Sequence, residues 1–329
     1  MKPLTISRTK PSLLSSNPFC SPSLTFKLPI ISRRSVDFRC ESLRRSDTGE
    51  DSNGVSLRRR KMLVSLSTLP FVVGLQYSLD GFNAAIAAES GEGAYLLVKE
   101  EVRKVVSKSK AAGVLRLAFH DAGTFEIGGK SEATGGMNGS IIYELDRPEN
   151  TGLNKSVKVL AKAKNVVDAM HPVSWTDMIA LSGAEAVSIC GGPTIPLQMG
   201  RMDSMQPDAE GRLPQESLDA AGLKQCFQRK GFSTQELVAL SGAHTLGSKG
   251  FGDPVAFDNS YYKILLKKPW TSPGGSSSMI GLPSDHALME DNECLRWIEL
   301  YADDQDAFFQ DFKNAYIKLV NSGATWKGS

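Results

Sequence analysis

Cysteine is thin in this chain, five among 329 residues, and Cys20 and Cys40 fall in an N-terminal stretch that reads as a removable leader. The other three, Cys190, Cys226 and Cys294, are an odd set with no CxxC or metal-type spacing. That excludes a disulfide scaffold; one disulfide plus a free thiol, or three reduced thiols, both stay open. Histidine numbers only four, at 120, 171, 244 and 286. Clean alternating strands are scarce. No apolar run is long enough to span a membrane: "MLVSLSTLPFVVGLQY" is broken by Pro70 and Gly74 and falls short of about 18–20 uninterrupted residues. An excess of positive charge is missing where it would matter. Of the 38 Lys and Arg, 13 precede Ala88, against 6 of the 36 Asp and Glu, so residues 88–329 hold 25 basic and 30 acidic groups. A basic nucleic-acid surface is excluded, and no nucleic-acid partner is expected.

What is present begins with two targeting patterns in tandem. Residues 1–57 are rich in Ser, with scattered Arg and Lys and no sustained apolar period, as in a chloroplast or mitochondrial transit peptide. Residues 58–87 open on Arg58-Arg59-Arg60-Lys61, continue into the short apolar run and end at Ala85-Ile86-Ala87, the layout of a twin-arginine-type signal cut after Ala87. Two signals imply two envelopes to cross, so the expected destination of the 88–329 domain is the thylakoid lumen, soluble or peripheral.

Apolar spacings of three and four predict helix from 93 to about 122, and again at about 151–170, 174–188, 216–230, 233–244, 258–267 and 303–321. Ser174 and Ser233, each followed three residues later by Asp177 or Glu236, have capping-box spacing. Glycines 123, 128, 129, 135, 136 and 139 mark a loop, and the Pro-rich stretch "GGPTIPLQMGRMDSMQPDAEGRLP" reads as an irregular linker over the surface. The result is a mainly α domain in two halves, the second starting near Ser217.

Two segments share Ala-Leu-Ser-Gly-Ala, "DMIALSGAEAVS" at 177–188 and "ELVALSGAHTLG" at 236–247, and then differ: Glu185 in one, His244 in the other. Elsewhere "LRLAFHDAG" sets Arg116 four residues before His120, so both project from one helix face. A histidine able to move a proton beside a permanent cation suits cleavage of an O–O bond.

"LRLAFHDAGTF" resembles the distal-helix signature of plant-type (class I) haem peroxidases, and "VALSGAHTLG" their proximal-histidine signature. "ENTGL", "GGPTIP", "GRMD", "GRLP", "FDNSYY", "LPSDHAL" and "YADDQDAFFQDFKNAYIKL" follow in order, from about 93 to 321, and are most similar to the ascorbate peroxidase group. With the bipartite leader, the chain resembles the ascorbate-peroxidase-like proteins of the thylakoid lumen. The resemblance implies the haem-peroxidase fold, with a haem cleft between two helical halves, and haem b as cofactor. It implies His244 as the axial ligand of haem iron, oriented by Asp285, and Glu185 as part of a packing helix. It also implies His120 and Arg116 as the peroxide-cleaving pair, and Asn150 backed by Glu144 as the orienting group for His120. Phe119 is the aromatic wall over the haem, and Thr245 and Asp258 match ligands of a potassium-type monovalent cation. Hydrogen peroxide and a small reductant are the expected partners.

The departures from that pattern are specific. Phe119 stands where the group carries Trp, Asp121 where it carries Ser, and Arg147 where it carries His; Arg147 reads as a solvated charge. Only 14 positions separate His244 from Asp258, a shorter connection than in the group. The missing piece there carries the Arg that binds ascorbate, the Trp stacked under the proximal His and part of the cation site. "PWTS" at 269–272 follows "FDNSYY" where the group has it before. Two functions are therefore expected: a lumenal peroxidase with impaired ascorbate use, or a haem-poor, non-catalytic protein on this fold bound to a lumenal thylakoid complex. His171 and His286 enter neither and read as solvated.

Overall fold

The computed structural model describes residues 92–128, 135–270 and 279–328. Both leader segments, 1–57 and 58–87, and the expected cut after Ala87 lie outside them. Among the described residues the fold is built from helices, with one isolated bridge between Arg201 and Trp326 in place of strands. In order these are α1 (92–105), α2 (Lys108–Ala122), α3 (Asn154–Asp168), α4 (Trp175–Ile189), α5 (Ala220–Arg229), α6 (Thr234–Ser241), α7 (Ser260–Leu265), α8 (Pro283–Ala287), α9 (Asn292–Asp303) and α10 (Gln305–Leu319). Short 3-10 turns at Ser140–Tyr143, Pro148–Asn150, Gly242–Thr245 and Leu288–Glu290 join them.

The predicted 93–122 helix is two, parted at Val106 and Ser107. Both expected serine caps are present: Ser174 accepts from the Asp177 amide, and Ser233 and Glu236 form a full capping box, each such cap worth about 1 kcal/mol. The spacing analysis missed α9, which Asp291 caps by accepting from the Glu293 and Cys294 amides. Its buried face, Cys294, Ile298, Tyr301 and Ala302, is only four residues in a charged sequence.

Helix α4 forms the centre. Every residue from Thr176 to Val187 is buried, as expected of a helix that packs on all sides; α2 lies along it, and Tyr316 of α10 reaches it by donating to the Ala180 carbonyl at 2.8 Å. The repeated Ser-Gly-Ala has one cause in both copies. A Cβ on Gly183 would run into the Tyr316 hydroxyl and Ala118, and one on Gly242 into the Tyr262 hydroxyl and Phe308. Gly183→Ala is therefore expected to destabilise the fold by about 1–3 kcal/mol through overpacking; urea unfolding followed by circular dichroism checks it, and an unchanged midpoint would remove this account of the repeat.

The 191–214 stretch is irregular as expected, but it does not stay on the surface. Arg201 is 1% exposed. Its guanidinium pairs with Asp177 at 3.0 Å, donates to the carbonyls of Gln198 and Val320 and to the Asn321 side chain, and lies 4.5 Å from the Trp326 ring. A buried charge needs all its donors satisfied, and this one draws the linker into the core. Cys190, Cys226 and Cys294 are free, buried thiols.

Candidate active site

A cavity of about 370 Å³ opens between α2 on one side and α6 with its 3-10 extension on the other. Apolar side chains, among them Leu115, Phe119, Phe227, Leu237, Leu240 and Leu288, make up most of its wall; Arg116, His120, His244 and Asp285 reach it, and Glu216 and Lys249 stand at it as exposed charges.

On the α2 wall the four-residue spacing brings Arg116 Nε within 3.2 Å of His120 Nε2. The other guanidinium nitrogens donate to the carbonyls of Thr151 (3.0 Å) and Glu149 (2.6 Å), fixing the cation in place. His120 Nδ1 lies 2.7 Å from Asn150 Oδ1. Because the Asn150 amide nitrogen donates to the Glu144 carbonyl at 2.9 Å, its oxygen must face the ring, so Nδ1 carries the proton and Nε2 is the free base. Burial, reinforced by the Arg116 charge, pulls the His120 pKa down to about 4. The imidazole is thus neutral through the physiological range.

Glu144 differs from expectation. It backs Asn150 through its main chain, while its carboxylate accepts from Arg147 at 2.8 Å and from the Asp208 amide at 2.7 Å. Arg147 is correspondingly not a solvated charge: its side chain is 14% exposed and also donates to the Asp208 carbonyl. Asp121, buried beside His120, accepts from the amides of Gly139 and Ile141 and so ties α2 to that turn; burial pushes its pKa up to about 7. Phe119 lines the cavity as expected, stacked on Phe227 at 6.5 Å.

On the opposite wall His244 Nδ1 lies 2.7 Å from Asp285 Oδ1. Burial acts to lower the His244 pKa, but the Asp285 charge and hydrogen bond outweigh it and the net shift is upward. Burial likewise acts against the Asp285 charge, and the His244 charge together with bonds from His244, the Leu282 amide and Tyr261 carries its pKa below the usual value. A ring nitrogen bound to a carboxylate makes the other a stronger donor. Among the described residues His244 Nε2 has no hydrogen-bond partner, and 40% of the side chain is accessible. The Glu185 of the twin segment has a different fate: it is buried on α4, paired with Arg103 at 2.5 Å and Lys99 at 3.4 Å.

Tyr261 was not foreseen. Its hydroxyl donates to Asp285 Oδ1 at 2.9 Å, and its ring stands edge-on to His244 with centroids 6.1 Å apart. Phe251, from the short His244 to Asp258 connection, packs on it at 4.6 Å. Tyr261 thus sets a ring against the ligand candidate, and Phe251 backs it. The only available signal was the "YY" opening α7. Trp270 does not serve there: it stacks on His286 at 4.0 Å, whose Nε2 lies 2.7 Å from the Ile280 carbonyl, so His286 is packed and not solvated. His171 is exposed. Thr245 donates to Asp258 at 3.0 Å, and the same Asp258 oxygen accepts from the Ser260 amide.

The donor set constrains what can bind. Among the described residues no three His, Cys, Asp or Glu side chains gather to hold a bare ion. A metal facing His244 must bring its other ligands with it. A flat macrocycle carrying four of its own nitrogens, in an apolar slot with one imidazole on each side, fits these residues.

The sequence profile of the Peroxidase family matches residues 98–253. The chain is 60% identical over 304 residues to the Arabidopsis thaliana protein named "Putative L-ascorbate peroxidase 6", covering 92% of this chain and 87% of that one. It is 39% identical over 253 residues to L-ascorbate peroxidase 2, cytosolic, of Arabidopsis thaliana (70% and 96%), and 40% identical over 237 residues to L-ascorbate peroxidase 3 of the same plant (68% and 79%). With the two facing histidines and their orienting partners in place, the chain belongs to the haem peroxidase family, among the class I, ascorbate-peroxidase-like proteins.

Proposed function

We propose that this protein reduces hydrogen peroxide at the cavity with electrons from a small donor, that ascorbate is a poor donor, and that the mature chain works in the thylakoid lumen. The observation that carries the catalytic part is the pairing of walls: a neutral His120 braced by Arg116 and Asn150 faces a His244 braced by Asp285. Bound haem, held by His244 with Phe119 over it, would supply the two-electron reduction of the O–O bond and accept two single electrons in return. His120 Nε2 takes the proton from one peroxide oxygen and delivers it to the other, so the departing group leaves as water. Arg116, held by two carbonyls, stabilises the negative charge that develops as the oxygens separate. Asn150 keeps the proton on Nδ1 and the base on Nε2. Thr245 and Asp258, which bond to each other, are the candidate ligands of a monovalent cation.

The donor reading rests on the cavity mouth. An anionic donor needs a fixed cation, preferably a bidentate one. Lys249, exposed on a loop beside Gly250, makes no hydrogen bond with its ammonium among the described residues, and Glu216 stands at the same cavity with the opposite sign. A neutral phenol makes no such demand. On haem-reconstituted protein, steady-state kinetics are expected to give phenol turnover well above ascorbate turnover; saturable ascorbate turnover at a comparable rate would establish an ordinary ascorbate peroxidase. A protein that refuses haem altogether would favour the non-catalytic alternative.

The lumenal reading rests on the tandem signals before Ala88. N-terminal sequencing of the protein from plastids is expected to begin near Ala88; a chain that keeps residues 58–87 would overturn it.

A further inference from the structure

Beyond the cavity, four redox-active rings form an unbroken series. Tyr261, beside His244, is 4.9 Å from Tyr262. Tyr262 is 5.2 Å from Tyr301, and Tyr301 is 6.1 Å from Trp297 in a nearly parallel stack, 29° between planes. The three tyrosines are fully buried, whereas Trp297 on α9 is only partly buried, next to the exposed Arg296 and Leu300. A tyrosine gives up an electron readily only if its phenolic proton has somewhere to go. Tyr301 donates to the Asp311 carboxylate at 2.7 Å and Tyr261 to Asp285 at 2.9 Å; Tyr262, between them, donates to the Val238 carbonyl at 3.0 Å. Phe251 packs on Tyr261, and Phe308 on Tyr262 and Tyr301; neither can be oxidised under the same conditions, so they add no competing redox group to the series.

We propose that Tyr261, Tyr262, Tyr301 and Trp297 are an electron relay from the protein surface to the peroxide-reducing cavity, with Trp297 as a second oxidation site for phenolic donors that do not enter the cavity. The proposal rests on the peroxidase reading above. Tunnelling falls off exponentially with distance, so transfer through a series of neighbouring rings outruns one long transfer across the core. Hydrogen peroxide is the oxidant: two electrons and two protons convert it to two waters. At Tyr301 and Tyr261 one electron moves inward while the phenolic proton passes to the bonded carboxylate, Asp311 or Asp285, and returns when the ring is re-reduced; Tyr262, bonded only to backbone carbonyls, keeps its proton and bridges the two. Trp297 is left one electron short and releases its indole proton to water. A phenol outside then loses one electron and one proton, becoming a phenoxyl radical, and restores Trp297; two such events balance one peroxide. The Arg296 guanidinium, 5.1 Å from the indole, disfavours the protonated radical and so favours that proton loss.

Two measurements test it. In pulse radiolysis of the full chain without haem, azide radicals oxidise accessible tryptophans. The contact that the relay uses inward is read here in reverse: a coupled Trp297 gives a first-order decay of tryptophan radical into tyrosyl radical, independent of protein concentration, that is lost in both Trp297→Phe and Tyr301→Phe and kept in Trp270→Phe. The same decay in Trp297→Phe as in the parent would overturn the proposal, whatever haem does. Trp297 lies at the surface, so that variant tests the idea even if Tyr301→Phe fails to fold. In the second measurement, haem-loaded protein receives one equivalent of peroxide without donor, and oxidised peptides are mapped by mass spectrometry. Added oxygen is expected on Trp297 and is expected to disappear from it in Tyr301→Phe. Peroxide consumption with Trp297 untouched would overturn the relay and leave the peroxidase reading intact.

Discussion

Replacing His244 with Ala is expected to abolish haem uptake: titration of the variant with haem should give no Soret band where the parent saturates at one equivalent. His244 is the one imidazole on its wall, and its Nε2 faces the cavity without a protein partner among the described residues. The fold should survive, because Asp285 keeps two of its three donors, the Leu282 amide and the Tyr261 hydroxyl. Added imidazole should restore the band by filling the vacated place. Normal haem affinity in His244→Ala would show that the ligand has been assigned to the wrong wall.

The second large effect belongs to His120. His120→Ala should bind haem as the parent does and react with peroxide about 10²–10⁴-fold more slowly, the usual worth of a positioned proton-transfer group. The pH profile supplies an independent sign. With a pKa of about 4, the imidazole is the free base above that value and cannot accept the peroxide proton below it. Stopped-flow rates of the parent should therefore be flat from neutrality down to about pH 5 and fall as pH drops through about 4, whereas the variant should lack this limb. A parent limb near the ordinary histidine value would mean that His120 is solvated during the reaction.

Much of the site was legible because its residues sit at helical spacing or next to a turn signal. Arg116 and His120 share a face of α2, and His244 follows a capped, apolar helix; both are local patterns. Asn150 and Asp285 could be named only through the resemblance, since 30 and 41 residues separate them from the rings they hold. What escaped was set by long-range packing. Arg147 looks like any exposed arginine until Glu144 and the Asp208 carbonyl fold over it. Helix α9 was hidden by the charged residues on its outer face, and Tyr261 gave no sign that its hydroxyl would reach Asp285. The short His244 to Asp258 connection was read as a loss, yet it carries Phe251, whose packing on Tyr261 beside His244 no local pattern announced.

Arg201 also dictates the order in which this protein can be completed. Its acceptors at Val320 and Asn321 lie 119 and 120 residues further along the chain, and the ring it stacks on, Trp326, comes later still. A nascent chain that has emerged from the ribosome only as far as α9 holds a guanidinium that must remain hydrated, and α4, whose Asp177 is its partner, cannot be sealed around it. Contacts so distant in sequence form late and slowly. Closure of the core thus waits for the segment after α10, and until that segment docks α4 keeps a hydrated edge.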